Sequence, residues 1–165
     1  MAQKLFVLLG LIFFITLGAN AQGDKVEVFG GYSYMRSEVS PSYNTNGWEL
    51  SGQYKFGFLG AVADIDGHYG SQSGVGSSIH TYLFGPQVSW PGRVSPFGHF
   101  LIGGAHVSTG GFTNNSFAVA IGGGIDTRII ANVYWRVIQG DLLHTSFLGS
   151  GQSNPRLSTG IVIHF

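Results

Sequence analysis

The stretch Gly47-Trp-Glu-Leu-Ser-Gly-Gln-Tyr-Lys-Phe56 alternates residue by residue. Trp48, Leu50, Gly52, Tyr54 and Phe56 fall on one face, and Glu49, Ser51, Gln53 and Lys55 on the other. The period is two rather than 3.6, which is the pattern of a strand with one apolar face. Gly57-Phe58 then supplies a two-residue turn. A second alternating run follows to about residue 70, with Leu59, Ala61, Ala63, Ile65 and Tyr69 on one side and Asp64, Asp66 and His68 on the other. Two alternating runs joined by a short turn read as a β-hairpin.

The same reading extends outward in both directions. Strands are expected at 25–36, 47–56, 59–70, 78–90, 96–108, 116–128, 132–145 and 156–165. Pro86 predicts a bulge or a local break in pairing, because proline has no N–H to give a ladder. The phase weakens near 138–141, which marks a second bulge. The facing of 96–108 is ambiguous. Eight is an even number, so both ends of the mature chain are expected on the same side of the membrane. Connections at 57–58, 91–95 and 129–131 are short. Those at 37–46, 71–77, 109–115 and 146–155 are longer and rich in Gly, Ser and Asn. Short periplasmic turns alternating with longer external loops are expected of a membrane barrel.

The N-terminus sets an address. Lys4, the apolar run 5–17 and the small-x-small site Ala19-Asn20-Ala21 predict a signal peptide over residues 1–21. The apolar run is too short to span a bilayer as a helix. Residues 22–165 then form a single domain. Removing Lys4 from eight Lys and Arg leaves seven against eight Asp and Glu, so nothing favours nucleic acid as a partner. The absence of cysteine excludes a disulfide scaffold and a thiolate metal site. Charged residues are only 10% of the chain and aromatics 14%, yet no later stretch is long enough for a transmembrane helix. Low charge with apolar side chains on alternate positions predicts an all-β, eight-stranded antiparallel up-and-down transmembrane barrel.

Charge placement decides which face meets lipid. Glu27, Glu49, Lys55, Asp64, Asp66, Asp126, Arg128, Arg136 and Arg156 all lie opposite the large apolar side chains. A soluble lipocalin-like carrier would turn that face to water, but it is sparse in charge and rich in Gly, Ala and Ser. As a lumen it is nearly balanced, with five acids against four bases. Buried ions need partners, so these nine residues are expected to form an interior polar network that plugs the lumen. Tyr32, Tyr34, Trp48, Tyr54, Phe56, Tyr69, Tyr82, Trp90, Phe97, Trp135 and Phe165 cluster toward strand ends, as aromatic girdles do.

These residues resemble the small outer-membrane β-barrel family of OmpA/OmpX-type domains. The resemblance covers residues 22–165 and rests on the leader, the alternating hairpins and the ending Leu157-Ser-Thr-Gly-Ile-Val-Ile-His-Phe165. Tyr82-Leu-Phe-Gly-Pro86, Ser95-Pro-Phe97, Arg136-Val-Ile-Gln-Gly-Asp141 and Asn154-Pro-Arg156 are similar to porin-like barrel domains of environmental bacteria. The resemblance implies residence in the outer membrane, contact with its lipids, and a monomer. It also implies that Leu157, Ile161, Ile163 and Phe165 form the signal read by the outer-membrane assembly machinery.

Chemistry has two candidates. His144-Thr-Ser146 resembles the His-x-Ser pair of lipid A deacylases, which are also eight-stranded barrels. No acid follows Asp141, so Asp141 would have to orient the imidazole, out of that family's order. Asp64, Asp66 and His68 share a strand face and could bind a divalent metal. The burial argument favours ion pairs with Lys55, Arg128 or Arg136 instead, and no cofactor is expected. Gly122-Gly-Gly124 lacks the Lys-Ser/Thr of a phosphate loop. The sequence therefore points to a non-enzymatic barrel with surface loops for envelope structure or for ligand or cell contact. A lipid A-modifying esterase and a soluble carrier are the alternatives.

Overall fold

The computed structural model describes residues 25–37, 43–72, 75–147 and 150–165. The expected signal peptide, residues 1–21, lies outside them. Eight antiparallel strands form a closed barrel: β1 (Val26–Ser37), β2 (Tyr43–Phe56), β3 (Leu59–Gln72), β4 (Val75–Ser89), β5 (Val94–Thr109), β6 (Phe112–Ile130), β7 (Val133–Phe147) and β8 (Ser150–His164). Each strand pairs with its sequence neighbours, and β8 pairs with β1. Val26 and Phe165 exchange main-chain hydrogen bonds at that seam, Phe165 N–H to Val26 at 2.8 Å and the reverse at 3.2 Å. Closure leaves no unpaired strand edge.

Strand register fixes the girth. A line of cross-strand partners leaves the chain at Lys25 and passes through Lys55, Gly60, Gln87, His99, Gly122, Asp141 and Arg156. It returns to β1 at Met35. The path from position 25 to position 35 is a stagger of ten residues. Strand number and stagger together set tilt and diameter, and eight strands enclose a lumen that side chains can fill.

The apolar positions of the alternating strands face out. Tyr82, Phe84, Phe100, Phe117, Ile121, Trp135, Leu142, Leu157 and Ile161 are all exposed. β5, whose facing was open, turns Phe97, His99, Leu101 and Ala105 inward and Phe100 outward. Phe97 therefore does not belong to an aromatic girdle; it is buried in the lumen. Its small neighbours explain this, because a Cβ on Gly124 would lie 2.8 Å from the Phe97 ring.

Both expected irregularities are present. Pro86 pairs with Ala61 on β3, but Gly85 and Pro86 leave the β5 ladder unpaired without shifting its register. This is a break, not a bulge. On β7 the register slips by one against both neighbours at Val137–Ile138, and these two consecutive residues both face out.

The strands run further than the alternation indicated. The segment 109–115, read as a loop, is a continuous ladder closed by Gly110-Gly111, whose φ values are 57° and 87°. That left-handed pair is what a tight primed hairpin turn requires. The β3–β4, β7–β8 and β1–β2 ladders likewise reach Gln72↔Val75, Phe147↔Ser150 and Ser37↔Tyr43. Pairing to a neighbour already in register overrides the loop bias of Gly, Ser and Asn. Over the described residues, much of what was expected as external loop is thus strand extension.

These extensions reverse the polarity. Beyond the apolar band the outward residues are Ser78, His80, His106, Ser108, Asn115, His144, Ser146 and Ser153. On the inside, Met35, Ile79, Leu83, Leu101, Ala105, Ala118 and Leu143 form an apolar cluster. The lumen is therefore not polar throughout, as the alternation implied. A strand crosses a bilayer in about 9–11 residues, and these strands have 12 to 19. The surplus stands in water, where apolar side chains belong inside.

Ile121→Arg on the outward band should destabilise the barrel by about 2–4 kcal/mol in lipid vesicles, and Ser146→Arg beyond the band by about 0–1 kcal/mol. Urea titrations of the two variants check this. Equal effects would mean that no lipid contacts the band.

Candidate functional site

The site that β-alternation builds is the lumen. Arg156 on β8 is its hub, fully buried at 0% exposure. Its Nε and Nη2 donate to Asp141 Oδ2 at 3.0 and 2.7 Å. Its Nη1 donates to Asp64 Oδ1 at 3.2 Å and also to Asp66 Oδ2. Glu49 Oε2 stands 3.8 Å from Nε. Four carboxylates from β2, β3 and β7 thus surround one guanidinium.

Further side chains hydrogen-bond the excess of acid. Gln139 Nε2 donates to Glu49 and to Asp141, each at 2.8 Å. Ser158 Oγ donates to Glu49 and Thr81 Oγ1 to Asp66, each at 2.5 Å. His68 Nδ1 is 3.1 Å from Asp66 and His99 Nε2 is 2.8 Å from Asp141. Room for this comes from glycine: a Cβ on Gly122 would sit 1.9 Å from Asp141 Oδ1.

A second layer lies toward the chain ends. Arg136 grips Asp126 with two hydrogen bonds, at 2.8 and 3.0 Å, and donates to Gln139 at 2.6 Å. Its guanidinium carbon lies 4.3 Å from the Phe29 ring centre and 4.2 Å from that of Phe97, so the cation is held between two aromatic faces. Below it, Lys55 and His164 both contact Glu27, His164 at 3.0 Å.

Eight of the nine residues read as an interior network thus lie in the lumen and make ion pairs there. Arg128 departs. It has inward parity but sits exposed at the mouth, where its Nε donates to Tyr134 Oη at 2.9 Å. Asp141 takes its place in the interior, on the acid side of the balance. The sequence reading missed this because the Val137–Ile138 bulge shifts the inward parity of β7 from even to odd numbers. Two adjacent outward apolar residues were the available signal. His68, which the sequence reading places with Asp64 and Asp66, joins the network, as do His99, Gln139, Thr81, Ser158 and His164.

The esterase candidates do not assemble. Asp141 faces the lumen and His144 the exterior, on opposite sides of β7. His144 Nδ1 instead lies 3.2 Å from Ser153 Oγ, and the Ser146 main-chain oxygen accepts from Ser116. Asp64, Asp66 and His68 spend their polar atoms on Arg156, Thr81 and Ser33. Among the described residues no three His, Asp or Glu side chains converge as metal ligands.

A closed barrel with an apolar exterior and ion pairs within defines the transmembrane class of β-barrel. Solved structures place the fold more narrowly. Neisserial surface protein A (NspA) is similar with a TM-score of 0.70 and 13% identity, over 86% of this chain and 97% of that one. Ail, the attachment invasion locus protein of Yersinia pestis, gives 0.54 and 16%, over 84% and 97%. The N-terminal β-barrel domain of Pseudomonas aeruginosa OprF gives 0.51 and 14%, over 87% and 100%. The chain has the fold of the small OmpA/OmpX-type outer-membrane barrels. No protein-family model matches the sequence, and no curated protein matches it.

Arg156→Met strands four buried carboxylates and should destabilise the barrel by about 3–5 kcal/mol. Adding Asp66→Asn and Asp141→Asn to that variant should recover part of the loss. Thermal melts of the detergent-folded proteins test both, and a single variant as stable as wild type would contradict the hub assignment.

Proposed function

We propose that the protein is an integral outer-membrane barrel, non-enzymatic and monomeric, whose protruding end meets ligands, other cells or neighbouring envelope components. The observation that carries this reading is the continuous apolar exterior on a closed barrel filled with ion pairs. Residues 1–21 serve as its export signal. Leu157, Ile161, Ile163 and Phe165, on the outward face of β8 and at its end, serve as the assembly signal, and lipids of the outer membrane cover the band. The chain ends face the periplasm and the Gly110-Gly111 end faces outward.

The similar structures support this direction. NspA is named for the cell surface, Ail for attachment and invasion, and Ail has been solved in complex with the heparin analogue sucrose octasulfate. Among the described residues the contact surface consists of strand extensions carrying Asn, Ser and His. Catalysis is disfavoured because Asp141 and His144 point to opposite sides of β7. The filled lumen supports a barrel without a steady open pore.

Detergent-extracted protein should migrate faster on gels unheated than boiled, and fractionate with outer membranes. Recovery from soluble periplasm without detergent would sink the membrane reading. His144→Ala and Ser146→Ala should leave lipid A acylation unchanged in cells expressing the protein. Planar bilayers containing it should show no large, stable conductance.

A further inference from the structure

We infer that the mouth of the barrel at the chain ends is a binding site for an organic phosphate. A recess of about 530 Å³ opens there, lined by Lys25, Lys55, Arg128, Tyr134 and His164 among others. No acid lines it among the described residues. Its size falls within the range of small-ligand sites, about 300–1,000 Å³, and far exceeds a bare ion.

The cations are distributed unevenly over the molecule. Every described acid, Glu27, Glu49, Asp64, Asp66, Asp126 and Asp141, is buried. Among the described residues the exposed charged side chains are Lys25, Arg36, Arg93 and Arg128, all basic. Three of these four stand at the chain-end rim, and only Arg36 lies at the other. Lys55 is engaged by Glu27. Lys25 and Arg128 have no ion-pair partner among the described residues, so both cations are available to an anionic ligand at the recess.

Arg128 is also pre-positioned. Its Nε donates to Tyr134 Oη at 2.9 Å, and its guanidinium carbon is 5.3 Å from the centre of that ring. Tyr134 is in turn stacked on His164, with 4.0 Å between ring centres and planes 5° apart. Only Nε is used, so both terminal nitrogens of the fork remain free to donate. A planar fork held by a fixed ring suits bidentate contact with phosphate oxygens, and Lys25 adds a mobile point charge. His164 Nε2 is turned to Glu27 at 3.0 Å, so His164 serves the recess only through its stack with Tyr134. Tyr54 and Phe56, with ring centres 4.9 Å apart, line the rim and offer an apolar edge to the organic part of the ligand. The ligand is a phosphoester of glycerol or sugar size, either free or as a lipid headgroup.

The test uses the full chain folded in dodecyl maltoside, a detergent without phosphate. Titration calorimetry with glycerol 1-phosphate should give saturable binding that weakens with salt. Arg128→Gln and Lys25→Gln should each weaken it about tenfold, and Arg128→Lys nearly as much, since it keeps charge but loses the fork. Arg36→Gln, at the opposite rim, should bind as wild type. Heat-modifiable migration verifies that each variant is folded, and Lys25 lies outside the strands, so its variant stands even if Arg128→Gln fails to fold. Phosphatidylglycerol added to the micelles separates the sources. Retention that glycerol 1-phosphate competes away assigns the site to a lipid headgroup, and binding of glycerol 1-phosphate alone assigns it to a soluble phosphoester. No saturable binding of either probe, binding indifferent to Lys25→Gln and Arg128→Gln, or tighter binding of an acidic peptide than of glycerol 1-phosphate would overturn the inference.

Discussion

A backbone N–H in hydrocarbon has no water to bond, and each unsatisfied one costs several kcal/mol. An open sheet would leave two edges of such groups. The β1–β8 seam removes both, and its main-chain bonds between Val26 and Phe165 mark where the tube closes. Closure then dictates the rest. With ladders on both sides, every side chain has two destinations only, lipid or lumen. The stagger of ten residues around eight strands fixes how wide that lumen is, and a lumen this narrow is filled by side chains.

What fills it follows from the exclusion of charge from the band. Among the described residues, six acids, two arginines and Lys55 are driven inward and have to satisfy one another at short range. Arg156 gathers carboxylates from three other strands, while Arg136 lies between Phe29 and Phe97. These contacts cross the barrel axis, so they tie together strands that the ladder alone connects only through neighbours. Breaking one partner leaves a buried ion, which makes the arrangement stringent without making it strongly stabilising in itself.

Most of this architecture was legible in the sequence. Trp48 to Phe56 displayed its facing, and the pattern repeated often enough to count eight strands and to place Glu49, Asp64, Asp66 and Arg156 together in the lumen. The failures share one cause: alternation reports parity, not height or context. Arg128 has the parity of a lumen residue but sits at the mouth. Asp141 lies beyond a bulge that inverts the count. Phe97 is aromatic, yet the glycine opposite leaves space inside. The segment 109–115 has loop composition, and its pairing depends on a neighbour that no local pattern reveals. The apolar interior of Met35, Ile79 and Leu143 was hidden for the same reason, because the solvent around a strand changes along its length.

That change of solvent has a further consequence. An end built from flexible loops would present many shapes, and each binding event would have to freeze one of them. Here the tip is a ladder closed at Gly110-Gly111, with an apolar filling and polar side chains outside. Its outline is set by backbone pairing. Outward residues such as His106, Asn115 and Ser146 can be exchanged without altering that outline, so the tip behaves as a stiff template whose chemistry is adjustable and whose ordering entropy is spent during folding and not at contact.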